Sequence, residues 1–389
     1  SLSELAELLD TAGGETVGRV IQNLESINKA TYVGKGKVEE IKELAEELGA
    51  DGIVCDDELS PAQLSNLKDE LDIKVLDRTL IILDIFASHA KSSEGKLQVE
   101  MAQLKYRSSR LMGLGKNLSR LGGGIGTRGP GESKLETDRR AIRERVSQLR
   151  TEIEKVESSR DTLRKHRMSD GIPVIAIVGY TNAGKSTFLN KITDAGILAE
   201  DKLFATLDPT TRSLKIPDGE EVLFTDTVGF ISKLPHNLVD AFKSTLEEAK
   251  YADLILHVAD ASNPEADEQM KVVYKTLEEL KVVGKPVITF LNKQDKIEEE
   301  RIIKDLKADA LVKGSAKTGE GIDELLNKIS EILREGKVLV DTLLSYADTA
   351  KISVIRKKGQ LLSEEYEGDG IRVKAYVPKA VAGQLGLLR

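Results

Sequence analysis

The sequence predicts a multi-domain α/β protein, and three patterns along its 389 residues lead to this prediction. Short apolar runs alternate with helical patterns over residues 15–93 and again over 171–333, as in sheets that are covered by helices. Between these regions, two amphipathic stretches flank a glycine-rich connection. We therefore expect four domains: an α/β domain at 1–94, an antiparallel helical hairpin at 95–169, a doubly wound, mainly parallel α/β domain at 170–335, and a small α+β domain at 336–389.

The first domain contains two predicted strands and three predicted helices. The strands are "DGIVCDD" and "DIKVLDR". The segment "SPAQLSNLKDEL" has Ser60 as a helix N-cap and Pro61 at the first helical position, which is a common helix start. Two further helices are predicted at "GKVEEIKELAEELG" and "TLIILDIFASHA".

The second domain is predicted to be a pair of helices that pack on each other. Apolar residues recur at near-heptad spacing in both halves, which favours mutual packing in an antiparallel hairpin. These residues are Leu97, Met101, Leu104 and Leu111 in the first half and Ile142, Val146, Leu149, Ile153, Val156 and Leu163 in the second.

Charge is distributed unevenly between this hairpin and the rest of the chain. Residues 95–170 contain 18 Lys+Arg and 10 Asp+Glu, a local charge of +8, whereas the remainder has 39 against 55, or −16. A basic insert in an acidic protein is typical of phosphate-backbone binding, although a solvated loop has the same composition. The candidate RNA contacts around the glycine-rich tip are Lys105, Arg107, Arg110, Lys116, Arg120, Arg128 and Lys134.

Composition also excludes several classes of protein. The single cysteine, Cys55, rules out an internal disulfide framework and fits a reducing cytoplasm. No run of about 18 apolar residues occurs, so we expect no membrane span. The start of the chain has no basic region followed by an apolar one, and we expect no signal peptide. We expect a cytoplasmic monomer.

The segment "GYTNAGKST" follows the apolar strand "IPVIAIV" and precedes a helical pattern. It matches G-x-x-x-x-G-K-[ST], in which backbone N–H groups surround phosphates at a helix N-terminus. Lys185 would reach the β- and γ-phosphates, and Ser186 would ligate Mg²⁺. The segment therefore predicts a nucleotide phosphate site of the P-loop GTPase or ATPase kind.

The segment "DTVG" strengthens this prediction. Asp226 ends an apolar strand, where a carboxylate can hold Mg²⁺ through water, and Gly229 can offer its N–H to the γ-phosphate. The alternative is an ordinary turn residue at a strand end, but the spacing from the phosphate loop suits the next strand of a doubly wound sheet.

Two later segments predict that the base is guanine. In "NKQD", the carboxylate of Asp295 can accept the N1–H and the 2-amino group of guanine, which adenine does not offer. Rejection by an unpaired polar group reaches about 10⁴-fold. Lys293 can lie along the base and Asn292 can brace the loops. In "SAK", the N–H of Ala316 can meet the guanine carbonyl. A guanine nucleotide with Mg²⁺ is therefore expected.

Several segments together resemble one known family, the HflX ribosome-associated GTPases. The resemblance covers nearly the whole chain. The segments "GYTNAGKST", "LFATLDPTTR" and "DTVGFI" define the GTPase domain, and "GGIGTRGPGES" and "LETDRR" are particularly specific to this family. It implies a P-loop GTPase domain, binding to the large ribosomal subunit through ribosomal RNA, GTP hydrolysis stimulated there, and splitting of stalled or idle ribosomes. The guanine motif "NKQD" differs from the usual "NKID" at a variable position, and the tail from about residue 337 is matched least.

The same resemblance completes the predicted site. Residue chemistry alone leaves Thr206, Thr210 and Thr211 as candidates for a threonine that ligates Mg²⁺ when the γ-phosphate is present; the resemblance selects Thr206. The predicted Mg²⁺ ligands are Ser186, Thr206 and Asp226, and the predicted catalytic residues are Lys185, Asn182, Thr206 and Gly229. The predicted nucleotide contacts are Gly179, Tyr180, Thr181, Asn182, Ala183, Gly184, Lys185, Ser186, Thr187, Phe204, Ala205, Thr206, Leu207, Asp208, Asp226, Thr227, Val228, Gly229, Asn292, Lys293, Asp295, Ser315, Ala316 and Lys317.

Phe230 occupies the position after "DTVG" where many GTPases have a glutamine that orients water. Its side chain cannot do this, so hydrolysis must depend on positioning and electrostatics. Asn182 is a candidate ligand for K⁺ beside the phosphates; the alternative is that it serves only as a turn residue. A bound partner, or Arg212 acting from within the chain, are further alternatives. We expect slow hydrolysis by the protein alone and stimulation by ribosomes.

Two other functions stay open at this point. One is an RNA-binding ribosome assembly factor that uses GTP as a structural ligand, and the other is a GTPase that regulates a membrane or protein partner. An ATP-dependent RNA activity of the first domain is also open, although "YVGKGK" lacks the phosphate-loop pattern.

Overall fold

The computed structural model describes most of the chain. The described ranges are 2–121, 130–193, 203–204, 207, 209–234, 248–297 and 302–387. The chain forms two compact units, the first comprising residues 1–156, 201–208 and 232–243 and the second comprising 157–200, 209–231 and 244–389. Within these ranges, no helix combines the length and apolar character needed to cross a membrane.

The first unit contains a small α/β arrangement followed by two long helices. Its elements are α1 (Leu2–Thr11), α2 (Lys35–Leu48), β1 (Gly52–Cys55), α3 (Pro61–Leu71), β2 (Lys74–Asp77), α4 (Arg78–His89), α5 (Ser93–Leu121) and α6 (Pro130–Asp170), of which α6 continues into the second unit. Strands β1 and β2 pair in parallel, with Gly52 opposite Lys74. The five secondary-structure segments expected in the first domain are all present.

Helix α3 begins as its sequence predicts. The Ser60 side chain accepts the N–H of Gln63, and the Gln63 side chain accepts the N–H of Ser60, which satisfies two N–H groups at the helix start. Its buried face, with Leu67 and Leu71, packs with Val38 of α2 into one core. This core holds the helices against the two-stranded sheet.

Helices α5 and α6 form the antiparallel hairpin that the apolar spacing predicts. Met101 packs with Leu149 and Ile153 between the helices. Arg139 of α6 donates to the carbonyl of Leu111 of α5 at 2.7 Å, whereas Arg145, further along α6, makes an ion pair of 2.8 Å with Glu100, which lies earlier in α5, so the two helices run antiparallel. The glycine-rich connection at 122–129 lies outside the described residues.

The second unit begins with a doubly wound domain. Its elements are β3 (Val174–Val178), α7 (Lys185–Thr193), β4 (Thr210–Lys215), β5 (Glu221–Asp226), α8 (Glu248–Tyr251), β6 (Leu254–Asp260), α9 (Ala266–Glu279), β7 (Val287–Asn292), β8 (Ala310–Lys313) and α10 (Ile322–Glu335). The sheet order is β4-β5-β3-β6-β7-β8. All neighbours are parallel except β4, which pairs antiparallel with β5 at one edge.

The sheet places its functional strand ends together. Strands β3 and β6 have inward side chains that are almost completely buried, such as Ile175, Ile177 and Leu256. Parallel strands covered on both faces require such continuous apolar runs. Ligands bind at the carboxyl ends of strands in open α/β sheets, which is where the predicted motifs follow β3, β5, β7 and β8.

The chain ends in a separate small sheet. Its elements are β9 (Lys337–Leu344), α11 (Thr349–Lys358), β10 (Gln360–Glu367), β11 (Gly370–Pro378) and α12 (Lys379–Gln384), with antiparallel strand order β10-β11-β9. Alternate residues of β11, including Val373, Ala375 and Val377, pack with Ile352 and Ile355 of α11. This agrees with the expected α+β tail.

Candidate nucleotide site

The phosphate loop lies between β3 and α7, as its sequence pattern predicts. The Lys185 side chain is buried and donates hydrogen bonds to the carbonyl oxygens of Gly179, at 3.2 Å, and Tyr180, at 2.8 Å. The pKa of Lys185 is lowered to about 8, mainly by burial; Asp226 acts to raise it and nearby Lys293 acts to lower it. The ammonium is therefore held inside the loop that is expected to surround the phosphates.

Gly184 lets the loop and the guanine motif approach each other. Its φ is +93°, and a Cβ there would lie 2.2 Å from Nδ2 of Asn292. Asn292 is buried, donates to the carbonyl of Ala183 at 2.8 Å and accepts the N–H of Ala316 at 2.8 Å. One side chain thus joins three motifs that are far apart in sequence.

Ser186 and Asp226 bring two hard oxygen ligands together. The Ser186 hydroxyl donates to Oδ2 of Asp226 at 2.8 Å, and the Asp226 side chain is completely buried. Thr227 donates to the carbonyl of Ile177 at 2.7 Å and so fixes the end of β5 against β3. A hydroxyl and a carboxylate at this spacing are the kind of donors that Mg²⁺ takes beside nucleotide phosphates, so the residues present fit that ion.

Phe230 is a packing residue, and its backbone is tied to the phosphate loop. Its N–H donates to the carbonyl of Gly179 at 3.0 Å, and its carbonyl accepts the N–H of Thr181 at 2.7 Å. The ring is 2% exposed. Gly229 packs tightly beside it, since an added Cβ would lie 2.9 Å from both Lys185 Nζ and Thr181 Cα. The segment "DTVGF" is therefore joined to the loop by backbone hydrogen bonds.

The guanine-recognition residues converge at the ends of β7 and β8. The Ser315 hydroxyl donates to Oδ1 of Asp295 at 2.6 Å, and this bond is the main cause that lowers the pKa of the Asp295 carboxyl. Asp295 and Lys317 are exposed, Lys293 is partly exposed, and Ala316 is buried. Lys293 makes an ion pair of 2.9 Å with Asp260.

Asp260 was missed by the sequence reasoning. It ends β6 in register with Asn292 of β7, and it also accepts the N–H of Ser262 at 3.0 Å. The available signal is position: Asp260 is the last residue of a buried, apolar parallel strand, and ligand-binding residues cluster at such strand ends.

Asn182 adopts a left-handed backbone conformation, with φ of +58°. Asparagine tolerates this conformation better than most residues. A turn role therefore accounts for Asn182, and the K⁺ role is an additional proposal.

The expected switch loop is described only in part. Ala205, Thr206 and Asp208 lie outside the described residues. Phe204 and Leu207 are buried. The Phe204 ring makes an edge contact with Phe86 of α4, with centroids 4.6 Å apart. The structure thus places Phe204 in an apolar contact of the first unit, whereas the sequence had suggested a nucleotide contact.

The hairpin candidates divide into three groups. Arg107 is exposed and Lys105 is partly exposed, so both stay candidates for RNA contact. Arg110 is a correction: its guanidinium is paired with the buried carboxylate of Asp77 and donates to the carbonyl of Leu59 at 2.8 Å. The side chains outside the described set are Lys116, Arg120, Arg128 and Lys134.

Three family models match successive parts of the chain. Residues 1–87 match the N-terminal region of GTP-binding GTPases, 89–167 match their middle region, and 174–293 match a model described as 50S ribosome-binding GTPase. The GTPase HflX of Lacrimispora saccharolytica is 61% identical over 385 residues, covering 99% of this chain and 91% of the relative. The chain belongs to the HflX family of GTPases.

A second relative agrees with this assignment, and one solved structure is similar over most of its length. The GTPase HflX of Caldanaerobacter subterraneus subsp. tengcongensis is 52% identical over 377 residues, covering 97% of this chain and 87% of the relative. A GTP-binding protein from Sulfolobus solfataricus, solved in complex with GDP, is 28% identical and covers 85% of this chain and 94% of that chain, with a TM-score of 0.45. The protein binds guanine nucleotides and hydrolyses GTP, as members of the HflX family do.

Proposed function

We propose that this HflX-family GTPase binds the large ribosomal subunit in its GTP form, separates stalled or idle ribosomes into subunits, and leaves after hydrolysis. The observation that carries the proposal is the charge of +8 over residues 95–170 in a chain of net charge −8. The matched description, 50S ribosome-binding GTPase, supports the same partner. The proposed domains are 1–94, 95–169, 170–335 and 336–389.

At the nucleotide site, each residue has a proposed role. Lys185 would exchange its two carbonyl acceptors for β- and γ-phosphate oxygens, and Asp295 would accept the two guanine donors. Ser186, Asp226 and Thr206 would hold Mg²⁺, which neutralises charge on the phosphates when bound. Asn292 would keep the phosphate loop and the guanine loop at a fixed separation.

Hydrolysis proceeds without a glutamine beside Gly229. Phe230 is buried and bonded through its backbone to the phosphate loop, so it holds Gly229 in place and leaves water positioning to other groups. We propose that K⁺ on the Asn182 amide oxygen and the ribosome itself supply the missing electrostatic stabilisation. Replacement of K⁺ by Na⁺ tests the ion, because an unchanged turnover rate would exclude it.

The hairpin is proposed to contact RNA through its phosphates. Exposed basic side chains are present on both described arms, including Arg107 on α5 and Arg140, Arg143 and Arg150 on α6. Tyr106 is the single Phe, Tyr or Trp residue in the hairpin sequence, and it is buried, so stacking on such rings is not expected to be its main mode of RNA contact. Binding through phosphates releases counterions, and the affinity should fall steeply with salt.

Cosedimentation with purified large subunits tests the partner. We expect the double variant Arg120→Glu with Arg128→Glu to lose subunit binding while GDP affinity stays unchanged. The matched control is Lys271→Glu with Lys275→Glu on α9, which changes net charge equally at two exposed sites. Equal loss in both variants would indicate a general charge effect, and unchanged binding in the tip variant would reject the hairpin as the contact.

A further inference from the structure

Two adjacent buried residues of opposite charge connect different parts of the first unit. Asp77 ends β2 and Arg78 begins α4, and their side chains are 0% and 1% exposed. Buried charges are retained only where partners satisfy them. The partners of Asp77 include helix α5 of the hairpin, and those of Arg78 include the segment that follows "DTVGFI".

Asp77 binds the hairpin. Its Oδ1 accepts the hydroxyl of Tyr106 at 3.0 Å, and its Oδ2 pairs with Arg110, both from α5. The Arg110 guanidinium also lies over the Tyr106 ring, 4.0 Å from its centroid. The same carboxylate accepts the N–H of Leu80, so the hairpin is attached at the first turn of α4.

Arg78 binds the segment that follows "DTVGFI". It donates to the carbonyl of Ser232 at 3.0 Å, and it pairs with Asp56 at 2.9 Å and Glu4 at 2.7 Å. Lys233, which follows Ser232, makes an ion pair of 2.8 Å with Asp56. The backbone of Lys233 is in the left-handed conformation. Residues 226–234 are called the second switch segment below, and 203–212 the first.

Helix α4 contacts both switch segments. Arg78 at its start bonds to Ser232, and Phe86 near its end packs on Phe204 of the first switch segment. In GTPases, the γ-phosphate orders these segments and hydrolysis releases them. If Ser232 shifts alone, the buried guanidinium of Arg78 loses one hydrogen-bond acceptor, and an unsatisfied buried charge destabilises the fold. Helix α4 therefore either resists the shift of Ser232 or moves with it.

We propose that the Asp77–Arg78 pair couples the nucleotide state of the switch segments to the basic hairpin. When Ser232 moves, its hydrogen bond displaces Arg78 and with it the adjacent Asp77. The displaced Asp77 then shifts its partners Tyr106 and Arg110 on α5. The coupling is reciprocal, so a ligand on the hairpin also alters nucleotide affinity. This inference rests on the GTP-driven switch of the proposed function and is independent of whether the hairpin binds ribosomes.

Hydrogen exchange of the full chain, loaded with GDP or with a non-hydrolysable GTP analogue, tests the coupling. In the wild type, we expect amides of residues 93–111 to differ between the two states by about 5-fold or more. Three variants should reduce this difference to less than about 2-fold: Tyr106→Phe, which loses the bond to Asp77; Lys233→Ala, which loses the pairs with Asp56 and Asp57; and Arg78→Lys, which loses the forked geometry.

Two matched controls should keep the wild-type difference. Tyr346→Phe removes a hydroxyl that donates to the Glu367 carbonyl at 2.6 Å, and Lys271→Ala removes an exposed pair with Glu268. The coupling would be overturned if, in the wild type, hydrogen exchange differed between the two nucleotide states only in the switch segments. It would also be overturned if the three variants kept the wild-type difference in residues 93–111, as the controls should. If hydrogen exchange of the switch segments is the same in both nucleotide states, the GTP-driven switch of the proposed function is itself rejected. Should Arg78→Lys not fold, the two milder variants still decide the question.

Discussion

Replacing Asn292 by alanine tests whether one side chain holds the nucleotide site together. The amide donates to the Ala183 carbonyl and accepts the Ala316 N–H, both at 2.8 Å, in a position that is 2% exposed. The variant leaves one buried acceptor and one buried donor unsatisfied, at about 1–3 kcal/mol each. We therefore expect a loss of about 2–6 kcal/mol, shared between folding and nucleotide binding.

The assay combines urea unfolding with titration of a fluorescent GDP analogue. A loss of only about 1.4 kcal/mol in binding already weakens GDP tenfold. Asn66→Ala is the matched control, because Asn66 donates one exposed hydrogen bond to the Ala30 carbonyl at 2.9 Å. If Asn292→Ala matches Asn66→Ala in both stability and GDP affinity, the bracing role is refuted.

The remaining predictions concern base recognition and the γ-phosphate contact. Asp295→Asn should reduce GTP affinity by about 10²-fold or more, because an amide cannot accept both guanine donors, and competition by xanthosine triphosphate should rise. The hydrogen bond from Ser315 lowers the pKa of Asp295, so the carboxylate stays charged to lower pH. In an acid titration, Ser315→Ala should therefore lose GDP binding at a higher pH than the wild type. Coincident titration curves would reject this role of Ser315. Gly229→Ala places a Cβ 2.9 Å from Lys185 Nζ and Thr181 Cα, so overpacking of about 1–3 kcal/mol should lower the melting temperature and slow phosphate release.

Sequence patterns predicted the central sheet well because the physical constraint there is strong. Strands such as β6 are buried on both faces and must be apolar throughout, which makes them visible without homologues. The motif residues at their ends follow by spacing. Strand β4, Thr210–Lys215, was not identified, because an edge strand with exposed side chains needs no apolar run.

The contacts of charged residues were harder to predict. Arg110 was grouped with the basic tip, yet its partner Asp77 lies 33 residues earlier in the chain. The sequence predicts Phe204 as a nucleotide contact, whereas in the structure its ring packs on Phe86 of α4. The sequence shows that a residue is charged, but not which residue it pairs with. The partner depends on tertiary packing between segments that are distant along the chain.

Measurement of GTP turnover with and without purified large ribosomal subunits tests whether the ribosome stimulates the GTPase site. Phe230 is buried and stands where a glutamine after Gly229 would orient water, so we expect slow phosphate release by the protein alone and strong stimulation by subunits. The Arg120→Glu, Arg128→Glu variant should keep the slow basal rate and lose the stimulation. A fast rate that is unchanged by ribosomal subunits would contradict the proposal that the ribosome supplies the missing stabilisation.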